Sequence, residues 1–196
     1  MELHSVPKNK PELISAQALT IMSNEEIAQL NFSGWPLPDE FLTEIGRVAA
    51  LWACLESLLD HCLAKLAGFD DLHDHKPLIF FTHLSFPQRL DMLAALCEDM
   101  QANFPQLAGY KEVVSKLKAA QLTRNSIMHH GFTYDAQNHC LRMPIASARG
   151  KLKTEVKLWS LEDIKRASID ITDANRPLYK LVFRREIPPP WHRPSA

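Results

Sequence analysis

Arg124, Asn125 and His129 are the residues of this chain whose types and spacing could carry out a reaction. They lie in the stretch Ala119-Ala120-Gln121-Leu122-Thr123-Arg124-Asn125-Ser126-Ile127-Met128-His129-His130-Gly131. It reads as the last turns of a helix, closed by Gly131 in the position where a left-handed residue ends helices. Arg124 falls in line with an apolar stripe, because Val113, Leu117, Ala120, Arg124 and Ile127 follow one side of a 3.6-residue period. A guanidinium there must find an anion, a hydrogen-bonded partner or a functional opening, since burying it alone is costly. Asn125 and His129, four residues apart, stack on one face. Cleaving RNA without a metal needs a base for the 2′-OH, an acid for the leaving 5′-oxygen and positive charge for the pentavalent phosphate. An imidazole moves protons near neutral pH, and an arginine fork donates two parallel hydrogen bonds to phosphate. His129 is therefore the candidate acid/base, Arg124 the phosphate clamp and Asn125 the group that orients the imidazole or touches the phosphate. His130 stands in reserve. The helix macrodipole favours a cationic His129 in the last turn.

On an ideal wheel Arg124 and His129 point about 140° apart. One helix does not comfortably aim both at one phosphate, so the expected site is composite, with two copies crossing in a homodimer. Glu56, at the edge of another apolar helical face, reads first as a rim carboxylate reaching water, with an ion pair to Arg124 as the sharper alternative. Residues 108–159 carry nine Lys/Arg against three Asp/Glu, a net +6, within a chain whose total is −1. A basic segment around the Arg/His stretch favours a polyanion, RNA by the chemistry above. Lys116, Arg142, Arg149, Lys151 and Lys153 are its candidate substrate-binding side chains.

Four helices must position these groups. The first runs from about Pro38 to Leu66, with Phe41, Ile45, Val48, Trp52, Leu55, Leu59, Cys62 and Leu66 on one stripe; its wide apolar arc asks for more than one neighbour. A loop from Gly68 to Leu84 follows. The second helix starts at Phe86 or Pro87, capped by Ser85, and ends near Phe104. The third, Tyr110 to His130, carries the motif. Asp135-Ala136-Gln137-Asn138 then reads as a hairpin turn, Ala146 to Lys153 as a basic loop, and Glu155 to Trp159 as a further short strand. Ser160, with Asp163 three residues on, opens the fourth helix, which Pro177 should kink or split. Residues 1–37 form an arm, 38–185 the domain, and 186–196 an extended Pro-rich tail.

With 46% apolar and 23% charged residues, the composition is that of a globular chain. Cys54, Cys62, Cys97 and Cys140 form no CxxC pair, and the three on apolar helix faces read as reduced core residues. No run is long enough to span a membrane, and a charged N-terminus without an apolar signal region makes the cytoplasm the expected location. Asp70, Asp71, His73, Asp74 and His75 have short metal-like spacings but little apolar shell, so a hydrated loop is expected there, and a metal-dependent phosphohydrolase is the weakest reading. The chemistry assigned to Arg124 and His129 calls for no metal and no cofactor.

Arg124-Asn125 with His129 four intervening residues away, near the end of the third of four helices, resembles the HEPN superfamily; His130 offers a second register. The resemblance spans roughly residues 38–185. It implies an all-α fold, a four-helix up-and-down bundle with a small β-hairpin insertion between helices three and four, and a homodimer in which two motif helices face each other. It further implies a metal-independent endoribonuclease in toxin–antitoxin or phage-defence settings, with a cognate antitoxin or regulatory protein as partner. Some relatives of this kind act instead as inactive modules that bind RNA, nucleotide or protein. One toxin subgroup has Tyr two residues after the His, where this chain has Gly131.

Overall fold

The structure is a computed structural model that describes residues 23, 25, 29, 34, 36–69, 74–81, 83–147 and 152–189. The chain divides into Met1–Trp35 and Pro36–Ala196. The expected arm falls largely outside the described residues, as do residues 190–196 of the tail. All elements named here belong to the second unit.

That unit is mostly helical, with a small three-stranded antiparallel sheet. Helix α1 spans Asp39–Leu66, α2 Lys76–Phe81, α3 Phe86–Met100, α4 Tyr110–Met128 and α5 Leu161–Phe183. A 3-10 turn at Pro105–Gly109 leads into α4. Strands β1 (Thr133–Asp135), β2 (Cys140–Ser147) and β3 (Lys153–Ser160) lie between α4 and α5. The short α2 stands where a continuous loop was expected. The second long helix also stops at Met100, short of Phe104.

The four-three spacing on α1 becomes a buried face of Phe41, Val48, Trp52, Leu55, Leu59, Cys62 and Leu63. Its longest contact is with α5, through Ile164, Ala167, Ile171, Ala174, Leu178 and Leu181, while α3 and α4 cover its remaining sides. The wide arc thus serves several neighbours, as its width requires. Helix α4 runs antiparallel to α1: Arg124 lies over Trp52, and farther along the chain Tyr134 meets Phe41. Helix α3 enters beside Trp52 and ends at a cavity shared with Leu66, so it runs in the sense of α1. The segment containing α2 makes this return possible, and strict up-and-down alternation does not describe that pair.

Two of the helix starts are closed by capping boxes. Ser85 and Gln88 form a capping box on α3. Ser160 Oγ accepts from Asp163 N at 3.1 Å, and Asp163 Oδ2 accepts from Ser160 N at 2.9 Å. Pro177 lies inside α5 without splitting it. The Cys62 and Cys97 thiols are buried and pushed up, Cys97 to about 11, so they stay protonated. Cys140 is buried too, but Cys54 is exposed, so it is not a core residue.

In the sheet, Thr133 faces Arg142, and Cys140 faces both Asp135 and Ser160. Asp135 Oδ1 accepts from the N–H groups of Gln137 and Asn138, which folds the hairpin turn. His139 closes it with φ 48°, a left-handed conformation. Its Nε2 lies 3.1 Å from Glu40 at the start of α1, and its Nδ1 2.6 Å from the Tyr134 hydroxyl. Those two contacts hold the turn in place. The ladder from β2 to β3 extends through Ser147 and Lys153, into residues expected to be loop.

Ser160→Ala is expected to cost about 1 kcal/mol at pH 7, read from urea unfolding midpoints. Hydrogen bonds from the Ser160 backbone, then from its side chain, hold the Asp163 carboxyl below its ordinary range. A carboxyl lowered in the folded state stabilises above its unfolded pKa and loses that contribution as pH falls through its folded value. The advantage of Ser160 over alanine should therefore shrink below about pH 4. An advantage constant down to pH 2 would show that Asp163 is not held by this serine.

Candidate functional site

Helix α4 owes its end to the motif itself. The last helical residue is Met128, and His129 sits at φ −112° and ψ 3°, outside helical geometry. Its N–H still reaches the Asn125 carbonyl at 3.2 Å. Gly131 does not take a left-handed conformation, and a Cβ there would meet nothing within 4 Å. Among the described residues the glycine at positive φ is instead Gly68, two residues past α1, with φ 87°.

Leaving the helix one residue early changes where the imidazole goes. Arg124 Nη1 lies 2.7 Å from His129 Nε2 and donates to Asn125 Oδ1 at 3.1 Å. The pair that diverges on an ideal wheel therefore meets within one chain, through a long flexible side chain and a non-helical cap. Arginine has no lone pair to offer, so Nε2 accepts and the His129 proton sits on Nδ1 in this contact. Asn125 holds the guanidinium and not the imidazole. His130 is turned away, with Nδ1 3.2 Å from the Ser126 carbonyl, which leaves its Nε2 with no partner among the described residues.

Arg124 is half-buried, its guanidinium carbon 5.5 Å from the centre of the Trp52 ring. Trp52 in turn packs on Phe86 with ring centres 4.6 Å apart, and Arg89 lies over Phe86 at 5.9 Å. Glu56 does not pair with Arg124. It accepts from Arg89 Nη2 at 2.9 Å, while Asp60 accepts from Arg89 Nη1 at 3.0 Å. Among the described residues Arg89 thus has two carboxylates and Arg124 none. Arg124 Nε is buried without a hydrogen-bond partner. Its Nη2 and the Asn125 side-chain amide nitrogen also have none among the described residues. Among the described residues the arrangement leaves donors without partners and one positive charge that lacks a counter-ion, the groups an oxyanion such as phosphate engages.

The other candidate residues are dispersed. Lys116 lies two turns before Arg124 and pairs with Glu112 at 2.9 Å. It lines a cavity of about 630 Å³ between α4 and α5, which includes Ala120, Asp173 and Pro177 but none of Arg124, Asn125 and His129. Arg142 is on β2, 3.5 Å from Asp135. Lys153 begins β3, and Arg149 and Lys151 lie outside the described residues. Asp70, Asp71 and His73 also lie outside them. Asp74 is engaged by the Lys76 N–H at 2.9 Å. Among the described residues no three His, Cys, Asp or Glu side chains are grouped to hold a metal ion, and no helix there is long and apolar enough to cross a membrane.

The aromatic support was not evident from sequence, although one signal existed: Glu56 and Asp60 stand four apart on α1, the spacing for a shared cation. Comparison with family models, with curated proteins and with solved structures finds no match to this chain.

The two arginines should separate on substitution. Arg89→Met strands two half-buried carboxylates and is expected to cost about 2 kcal/mol or more. Arg124→Met keeps an aliphatic chain over Trp52, strands no anion and should cost about 1 kcal/mol or less. Denaturant unfolding of both variants reads the difference; an equal loss would make Arg124 a structural residue.

Proposed function

We propose that this chain is a metal-independent endoribonuclease of HEPN type. The observation that carries the reading is the contact of Arg124 with His129, beside Asn125, at a cation without a carboxylate partner. Arg124 and Asn125 bind the scissile phosphate through the donors that have no partner among the described residues. His129 exchanges the proton. A phosphate competes for Nη1, and drawing the guanidinium off the imidazole frees Nε2 to accept the 2′-OH proton as that oxygen attacks phosphorus. The 5′-oxygen leaves with a proton from a second imidazole.

That second imidazole is the present argument for two copies. Each chain brings one His129, so a homodimer supplies both base and acid at a composite site, with His130 the alternative within one chain. Arg142, Arg149, Lys151 and Lys153 supply the long-range attraction for RNA. Regulation by a cognate partner protein, in a toxin–antitoxin or phage-defence setting, belongs to the same proposal, as does a cytoplasmic location. A helical bundle of HEPN type is the architecture it implies.

One observation favours the rival reading, a binding module for RNA, nucleotide or protein without catalysis. The nitrogen that would act as base is already occupied by Arg124. If an incoming phosphate does not displace it, the site binds an anion and does no more.

Purified full-length protein incubated with RNA in EDTA decides between them. Cleavage is expected, with a loss of about 100-fold or more in each of Arg124→Ala and His129→Ala while the fold persists by circular dichroism. Equal cleavage by all three proteins would overturn the proposal. RNA retention with no cleavage by the wild type would establish the binding module.

A further inference from the structure

Strand β1 pairs only with residues 140–142 of β2, and β3 is the outer strand of the sheet. Beyond Arg142 the sheet is thus a two-stranded ribbon among the described residues. Such a ribbon is marginal in water when nothing else covers it. Here Val156 and Leu158 are 53% and 56% exposed on one face of β3, and Leu152, just before the strand, is 72% exposed. Pro144 and Ala146 of β2, opposite Val156 and Thr154, continue that apolar face.

The two free edges of the ribbon differ. Pro144 interrupts the open edge of β2, and proline there blocks strand addition. It pairs with Val156. Lacking an N–H, proline suits the antiparallel pair whose residues do not bond each other, and in such a pair both backbones point outward. Val156 therefore aims its N–H and C=O away from the sheet, and β3 contains no proline.

We infer that β3 pairs edge to edge with β3 of a second copy of this chain, antiparallel about a two-fold axis at Val156. The sequence Thr154-Glu155-Val156-Lys157-Leu158 is complementary to itself in that register. Val156 faces Val156 of the copy, Thr154 faces Leu158, and Glu155 faces Lys157 twice. Opposite charges set directly across strands stabilise pairing and like charges oppose it. Glu155 has no ion-pair partner among the described residues, while Lys157 lies over the Trp159 ring at 4.3 Å, already extended along the strand. A two-fold interface uses the same patch on both copies, which this register satisfies. Apolar Leu152, Val156 and Leu158 favour a protein surface over RNA. Leu122, the exposed apolar residue on the motif helix, stands alone and makes no comparable patch. The inference goes beyond the proposed function and takes from it only the number of copies, because the β3 edge is a different surface from the motif helix on which the composite site depends.

Sedimentation equilibrium of the full chain over a concentration series tests it, and mass is read independently of RNA cleavage, so either reading can fail alone. The wild type is expected to dimerise. Glu155→Lys and Lys157→Glu should each weaken the dimer about tenfold. Mixing the two variants should restore association as a heterodimer, and combining both substitutions in one chain should restore the homodimer. A monomer at every concentration, or a dimer indifferent to Glu155→Lys, would overturn the inference. So would a dimer that dissolves on Leu122→Lys but not on Glu155→Lys, which would assign the contact to the motif helix.

Discussion

The helical unit is organised around a charge that cannot be buried bare. Arg124, Trp52, Phe86 and Arg89 follow one another in contact, two guanidinium groups set against a tilted aromatic pair. The rings accept cations on their faces and give α1, α3 and α4 a common contact. What separates the two arginines is their anions. Arg89 is neutralised by Glu56 and Asp60, although its Nε, like that of Arg124, is buried without a hydrogen-bond partner. Arg124 has an aromatic face, an amide oxygen and an imidazole lone pair, none of them negative. That asymmetry is why one arginine reads as structure and the other as a binding group.

The imidazole reaches Arg124 because the helix ends where it does. An unbroken α-helix through His130 would hold the two side chains about 140° apart. Ending at Met128 turns His129 out of the spiral and back along its own last turn. Wheel geometry is a poor guide within one residue of a helix end, since the backbone angles that define the wheel no longer apply. The same local freedom puts His130 on the Ser126 carbonyl.

Much of the fold was legible because local chemistry and burial agree. The stripe on α1, the caps at Ser85 and Ser160 and the Asp135 turn are short-range patterns, and each appears where its residues lie. The rest depends on distant partners. Glu56 had two arginines to choose from, and only the return of the chain through α2 brings Arg89 beside it. Pro144 is part of a strand because its partner Val156 lies across the ladder and its missing N–H is tolerated at an open edge. Ala146 and Lys153 read as loop for the same reason: extended pairing, and not composition, makes them strand. At the site, the identities of Arg124, Asn125 and His129 were legible, but their mutual distances were not. Trp52 was visible as a core residue and gave no sign that it also carries a cation.

A ring beneath a guanidinium also bears on the chemistry proposed. A carboxylate in that place would bind Arg124 tightly and neutralise it, so an approaching phosphate would meet a satisfied ion pair. An aromatic face holds the planar group by its apolar surface and leaves its full charge in play. Asn125 fixes one edge of the fork by a neutral hydrogen bond, again without cancelling charge. His129 accepts only while its Nε2 is unprotonated, so protonation would replace that attraction with repulsion between two cations. The three contacts therefore place the guanidinium without neutralising it, and one of them involves the group expected to move the proton. In the proposed reaction, phosphate binding and release of the base would be coupled through one nitrogen, Nη1, the atom that touches both Asn125 and His129.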